Sequence, residues 1–289
     1  MNRLILTLFL ILGTTTIVAQ GYTAIGLESE WTDKGLEWTA VNNDFSPYYL
    51  DINLEKINGF QYLGSSYTTM MDIGTRTLFT LRPEGSARTY STGISYRFYR
   101  GDIRKKPNTD FQYAMPIRQG DVTRVRTLAS NHYTMQFDMT QTIDTVYACR
   151  GGIICNDNVY DTSAKGYNKD NMLITIYHND GTMAEYTMFD ESLVYPGDIV
   201  KMGDPIAVCQ SIAGKREINI AIYFLDKNKI ELKTDGRKHS HFTPFFNVGG
   251  ESAIKLEEGI SYVSEITEDM IMQDMSKRER SNYLKIRRR

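Results

Sequence analysis

Thr145-Val-Tyr-Ala-Cys-Arg-Gly-Gly-Ile-Ile154, Met172-Leu-Ile-Thr-Ile-Tyr-His-Asn-Asp-Gly-Thr-Met-Ala-Glu-Tyr-Thr-Met-Phe189 and Val194-Tyr-Pro-Gly-Asp-Ile-Val-Lys-Met-Gly-Asp-Pro-Ile-Ala207 decide the fold. Each is a short run of β-branched and aromatic residues broken by a turn signal, the mark of strands rather than helices. Asp180-Gly181 reads as the turn of a hairpin that places His178 beside it. Gly197 and Gly203 sit where the chain must reverse, between Val194, Ile199-Val200 and Ile206-Ala207-Val208, and predict compact hairpins there.

The same pattern extends in both directions. Tyr49-Leu50-Asp51-Ile52-Asn53-Leu54 alternates apolar with polar, the period of a half-buried strand. Thr77-Leu78-Phe79-Thr80-Leu81 runs into the turn Arg82-Pro83-Glu84-Gly85, and Ile94, Tyr96 and Phe98 line one face of a further strand. Spacing of this kind suits a small immunoglobulin-like sandwich. Lys105-Lys106-Pro107-Asn108 reads as a linker, after which strands resume to about Val263. From Glu265 the period changes. Ile266, Met270, Ile271, Met275 and Tyr283 fall near helical spacing, with acidic residues leading and basic ones trailing, as the helix dipole favours. The basic end, Lys285 to Arg289, reads as a solvated tail.

Residues 1–19 read as a cleaved export signal: Arg3, an apolar run from Leu4 to Leu12, then Val18-Ala19-Gln20 as a small-residue cleavage site. That run is shorter than the ~20 residues a permanent span needs, and no later segment qualifies. Cleavage removes one positive charge and leaves a near-neutral mature chain, which argues against nucleic acid as a partner. The three cysteines, Cys149, Cys155 and Cys209, lack the paired spacing of a zinc ribbon and read as buried small hydrophobes, although an exported chain could pair two of them.

The three opening runs resemble, in order and spacing, stretches of the lysostaphin-type peptidoglycan metallo-endopeptidases, and the likeness extends over residues 110–263. It implies an all-β chain: an N-terminal immunoglobulin-like sandwich at 20–107, a C-terminal antiparallel β-sheet domain of the lysostaphin-peptidase type at 108–263, and a helical or disordered basic tail at 264–289 with a short C-terminal helix. In that family a His and an Asp of a first motif, with the second His of a later His-x-His, hold zinc. The first His of that pair and the His of a Tyr-Ala-His-Leu motif handle protons. Carried over residue by residue, the Asp falls on Asp138 and its His on Thr134, or alternatively on His132 upstream. The Tyr-Ala-His-Leu histidine falls on Met188, and the His-x-His on Asn219-Ile220-Ala221. Methionine and alanine can neither move a proton nor complete a zinc site, so Asp138 and His132 would be vestigial ligands, with Ala221 in the third position.

The resemblance therefore implies an inactive homologue in the periplasm or exterior of a Gram-negative bacterium, with no cofactor expected. It would bind peptidoglycan or an envelope protein through a groove formed by Tyr186, Met188, Asn219 and Tyr223. Two alternatives stand beside it. One is an active zinc endopeptidase with a site rebuilt from His132, Asp138 and the pair His239/His241, a literal His-x-His that otherwise reads as a surface pair. The other is a structural component of an envelope secretion or adhesion assembly.

Overall fold

The computed structural model describes residues 24–61, 64–85, 87, 89–127, 134–139, 143–157, 172–210, 217–232 and 236–287. The reading of residues 1–19 as an export signal and of His132 as a ligand falls outside these. Six strands come first: β1 (Ile25–Thr32), β2 (Gly35–Asn42), β3 (Tyr48–Asn58), β4 (Ser66–Met71), β5 (Gly74–Leu81) and β6 (Ser91–Arg100). They form two three-stranded antiparallel sheets, ordered β1-β2-β5 and β4-β3-β6, around one apolar core. The alternation in β3 sets the arrangement. Leu50, Ile52 and Leu54 are buried while Asp51 and Asn53 are turned outward, each burial contributing about 1.5–3 kcal/mol.

A second core lies between the sheets that follow. Their strands are β7 (Gln112–Tyr113), β8 (Val122–Thr127), β9 (Thr134–Asp138), β10 (Ile143–Tyr147), β11 (Gly152–Ile154), β12 (Leu173–Tyr177), β13 (Thr182–Thr187), β14 (Glu191–Ser192), β15 (Ile199–Val200), β16 (Pro205–Gln210) and β17 (Glu217–Leu225). After helix α1 (Lys227–Glu231) come β18 (His239–His241), β19 (Phe245–Val248), β20 (Glu251–Ile254) and β21 (Ser261–Val263). Among the described residues the main sheet has nine strands, ordered β15-β11-β12-β13-β17-β9-β8-β21, with β18 added beside β17. The sheets β10-β16-β14 and β20-β19-β7 complete this part. β12 and β13 form the hairpin expected at Asp180-Gly181.

The turns at Gly197 and Gly203 differ from the expected hairpins. Both glycines have the left-handed backbone that side chains resist, but β15 pairs with β11 whereas β16 pairs with β10 and β14. The turns hand the chain from one sheet to another, and their backbone bonds go to distant strands: Gly197 N–H to Ile154 O at 2.9 Å, and Gly203 N–H to Ala148 O at 2.8 Å. The three cysteines are buried and unbonded to one another, and burial pushes the Cys149 thiol up to about 12.

The C-terminal segment forms α2 (Glu268–Met272) and α3 (Lys277–Arg287) rather than one continuous helix. Two interactions break it. Ser276 and Glu279 cap α3 reciprocally, with Glu279 accepting from Ser276 N–H at 2.7 Å. Asp274 turns back to the buried Arg150, accepting from Nη2 at 2.6 Å and Nε at 3.0 Å. Arg150 also donates to Asp180 at 3.0 Å and to Thr182 at 3.1 Å, with its guanidinium 3.6 Å from the Phe111 ring centre. Among the described residues no helix is long and apolar enough to cross a membrane, which does not bear on a β-barrel.

The two cores are joined through polar groups. The fully buried Asp44, before β3, accepts from Asn156 N–H at 2.6 Å, Ser46 Oγ at 2.7 Å, Tyr48 OH at 2.9 Å and Arg100 Nε at 2.9 Å. Arg100, closing β6, also pairs with Asp157 and donates to Asn156 O at 3.0 Å. Burial disfavours the Arg100 charge, and the neighbouring acids, Asp157 first, more than offset it, so its pKa is raised. Beside this joint Gly197 is required, because a Cβ there would lie 2.7 Å from the Phe45 ring.

Two predictions follow from this packing. Replacing Asp44 by Ala leaves Arg100 with half its acidic partners in a buried setting, and urea unfolding should show a loss of about 3–5 kcal/mol. A loss under about 1 kcal/mol would contradict the joint. The second concerns His178, whose ring is buried; its Nδ1 bonds Gly151 O at 2.8 Å and its Nε2 has no partner among the described residues. Burial and then the Arg150 charge push its pKa down from 6.5 to about 3. The unfolded chain thus binds the extra proton between about pH 6.5 and 3, and stability falls as pH drops through that window. From pH 7 to 5 this amounts to about 2 kcal/mol, which His178→Gln should largely remove from the pH dependence of the urea midpoint.

Candidate functional site

Three neighbouring strands carry the positions singled out in the sequence. In β17, Ile218, Ile220 and Ile222 enter the core, so Glu217, Asn219, Ala221 and Tyr223 stand on the opposite face. β9 does the same with Met135 and Phe137 inside, and Thr134, Gln136 and Asp138 on the polar face. The register pairs Asp138 with Glu217, Gln136 with Asn219 and Thr134 with Ala221. On the other flank β13 brings Thr187 to Asn219 and Glu185 to Ala221. Directly opposed side chains have Cβ atoms about 4.5–5.5 Å apart.

One end of this face therefore gathers Asp138, Glu217, Gln136, Asn219 and Thr187, with Met188 next along the chain. Met188 is 51% exposed and has a left-handed backbone (φ 71°), uncommon for a residue with a side chain. Asp138 Oδ1 lies 3.4 Å from Arg126 Nε at the surface, a pair worth about 0–1 kcal/mol. The Asn219 side-chain oxygen is buried and has no hydrogen-bond partner among the described residues.

The same register corrects several expectations. Ala221, expected as a third ligand position, lies four residues along β17 from the partner of Asp138, roughly 13 Å at about 3.3 Å per residue. Thr134 stands opposite Ala221 and is equally remote. The polar neighbours of Asp138 on β17 are Glu217 and Asn219. Glu217 went unnoticed in the sequence, although Glu217-Ile218-Asn219 opens the alternation that continues through Ile220 and Ile222. Tyr186, expected in the groove, points into the core with no exposed surface, and its hydroxyl accepts the Cys149 N–H at 2.8 Å. A period of two that places Glu185 and Thr187 on the polar face sends Tyr186 to the other.

Tyr223 shares the polar face but is covered. His239 and His241 pack on its ring at 5.3 and 5.1 Å between centres, and its hydroxyl donates to Glu185 Oε2 at 3.4 Å. Burial, reinforced by the Asp157 charge, raises the Glu185 pKa. His239 and His241 pair with Leu225 and Tyr223, at the end of β17 away from Asp138. Six residues of strand, roughly 20 Å, separate the partner of His241 from that of Asp138, so these groups cannot share an ion. His239 has a structural partner instead: its Nε2–H donates to Arg100 O at 2.8 Å.

Zinc does not fit the side chains gathered around Asp138. They offer carboxylate and amide oxygens, a hydroxyl and a thioether, whereas a hydrolytic zinc takes three ligands drawn chiefly from imidazoles. Among the described residues no three His, Cys, Asp or Glu side chains stand close enough to hold a metal ion.

No protein-family model matches the chain, and no curated protein matches it. Solved structures do resemble it. The M23 metalloprotease pseudoalterin from the deep sea aligns with 54% of this chain and 96% of its own, at 14% identity and a TM-score of 0.33. Csd3 of Helicobacter pylori, in its orthorhombic crystal, aligns with 91% of this chain and 78% of its own, at 10% identity and a TM-score of 0.30. A zinc-containing peptidase from Vibrio cholerae aligns with 68% of this chain and 81% of its own, at 12% identity and a TM-score of 0.26. The all-β architecture stands on the chain's own strand order.

The unpartnered oxygen of Asn219 gives a prediction. Asn219→Val removes a buried unsatisfied polar atom and places a β-branched residue in a strand, and should stabilise the fold by about 1 kcal/mol in urea unfolding. A comparable loss instead would mean that the oxygen is satisfied in solution.

Proposed function

We propose that this chain is a non-hydrolytic member of the bacterial cell envelope that binds peptidoglycan stem peptides on the polar sheet face of a lysostaphin-type scaffold. The observation that carries this reading is the meeting of Asp138, Glu217, Asn219 and Met188 at one end of β9, β17 and β13, where the resemblance would require a zinc-bound water and two imidazoles. In this proposal Glu217 and Asn219, rather than Asn219 and Ala221, occupy the positions of the His-x-His. Hydrolysis needs an activated water and a group that moves protons at the scissile bond. Met188 cannot move a proton and the amide of Asn219 cannot activate a water. The same groups suit recognition: Asp138 and Glu217 are partly exposed carboxylates that suit the amine-bearing side chains common in stem peptides, with the Asn219 amide between them and Thr187. Export to the periplasm or exterior of a Gram-negative cell, through residues 1–19, belongs to the same proposal.

Co-sedimentation with purified sacculi, followed by chromatography of the soluble fraction with and without added zinc, tests it. The chain should pellet with sacculi and release no muropeptides. Asn219→Val combined with Glu217→Leu should weaken sedimentation about tenfold. Zinc-dependent release of muropeptides would overturn the non-hydrolytic reading, and failure to pellet would turn the proposal towards a protein partner.

A further inference from the structure

A recess in the N-terminal sandwich is separate from the sheet face. It has a volume of about 380 Å³ and is bordered by β1, β2 and β6, within the range typical of small-ligand sites. Trp31 and Tyr90 form part of its wall and remain 53% and 43% exposed. They stand at 72° to each other with ring centres 5.5 Å apart, and Trp31 is stacked at 5.6 Å on Phe60, which is buried beneath. Two large aromatic rings held in fixed orientation beside one cavity differ from apolar residues scattered singly over a surface. Ser29 of β1 and Ser91 and Thr92 of β6 bring hydroxyl-bearing side chains to the wall. Trp38 also borders the recess, and its buried indole N–H has no partner among the described residues.

We propose that this recess binds a neutral sugar ring of a glycan. Among the described residues that line it none is charged, so neither an anionic nor a cationic ligand would find a counter-charge there. A purely aliphatic ligand would bury the serine and threonine hydroxyls without partners, which is unfavourable. A pyranose matches both features: its C–H face packs on an aromatic ring, and its rim of hydroxyls exchanges hydrogen bonds with short hydroxyl side chains. Trp31 and Tyr90, packed on each other and on Phe60, each keep about half of their surface exposed for such a contact. The site lies on its own core, so it stands or falls independently of the peptidoglycan-peptide proposal.

The chain has two tryptophans, and both border this recess, so its intrinsic tryptophan fluorescence reports on this site. The full chain is titrated with chitotriose and with cellotriose, both uncharged. The expected result is a saturable blue shift with at least one of them, at a Kd on the order of 0.1–1 mM. Tyr90→Ala should weaken that binding about tenfold. Thr92→Val, which keeps the side-chain shape, should weaken it severalfold with an unchanged circular dichroism spectrum, so that a loss of folding in the first variant cannot mimic the result. No spectral change with either sugar up to about 10 mM would overturn the proposal. A response to octyl glucoside without one to the trisaccharides would also overturn it, assigning the recess to apolar chains. So would a saturable response that both variants leave unaltered.

Discussion

The Arg100 guanidinium is the constraint on which the arrangement of the molecule depends. It closes the last sandwich strand and meets Asp44 on its own side and Asp157 on the other, all three largely removed from solvent. A buried charge is tolerated only when its partners are fixed, so the loop carrying Asp44 and the segment carrying Asn156 and Asp157 are held in one geometry. Asp157 also accepts the Thr175 N–H of β12 at 2.8 Å, and the Arg100 carbonyl accepts from His239 beside β17. The joint therefore grips two strands of the main sheet and covers one end of its polar face, where Glu185 and Tyr223 lie. The other end carries Asp138 and Glu217, both partly exposed.

A second buried guanidinium does comparable work at the opposite boundary. Arg150 fixes the C-terminal segment through Asp274 and the hairpin turn through Asp180, and its charge helps to keep His178 neutral. The cores are built from alternating apolar residues, but these two arginines determine how the parts are placed on one another. Among the described residues their hydrogen-bond partners do not include Asp138, Glu217 or Asn219, so substitutions at that end of the sheet leave both joints in place.

Much of the fold was legible in the sequence because alternation is local. Leu50, Ile52 and Leu54 declare their buried face, and Asp180-Gly181 declares its turn. The pairing of strands was less legible. Gly197 and Gly203 announce reversals but not that β15 and β16 belong to different sheets, since that choice is made by Ile154 and Ala148 far away in the chain. The site was legible only in part for the same reason. Asp138, Asn219 and Met188 were recognisable by resemblance, yet which residue of β17 faces Asp138 is a matter of register, and a shift of four residues exchanges Ala221 for Glu217. Tyr186 was misplaced because a motif lists residues consecutively while a strand turns alternate ones to opposite faces. The partners of Arg100 and Arg150 lie 30 to 124 residues away, beyond any local pattern.

The central proposal is that a lysostaphin-type scaffold carries here a sheet face whose side chains do not suit zinc. Calorimetric titration of the full chain with zinc at neutral pH tests it most directly. The account predicts no stoichiometric uptake at micromolar zinc and an unaltered thermogram for Asp138→Ala. One zinc bound per chain with micromolar or tighter affinity, lost in Asp138→Ala, would contradict it.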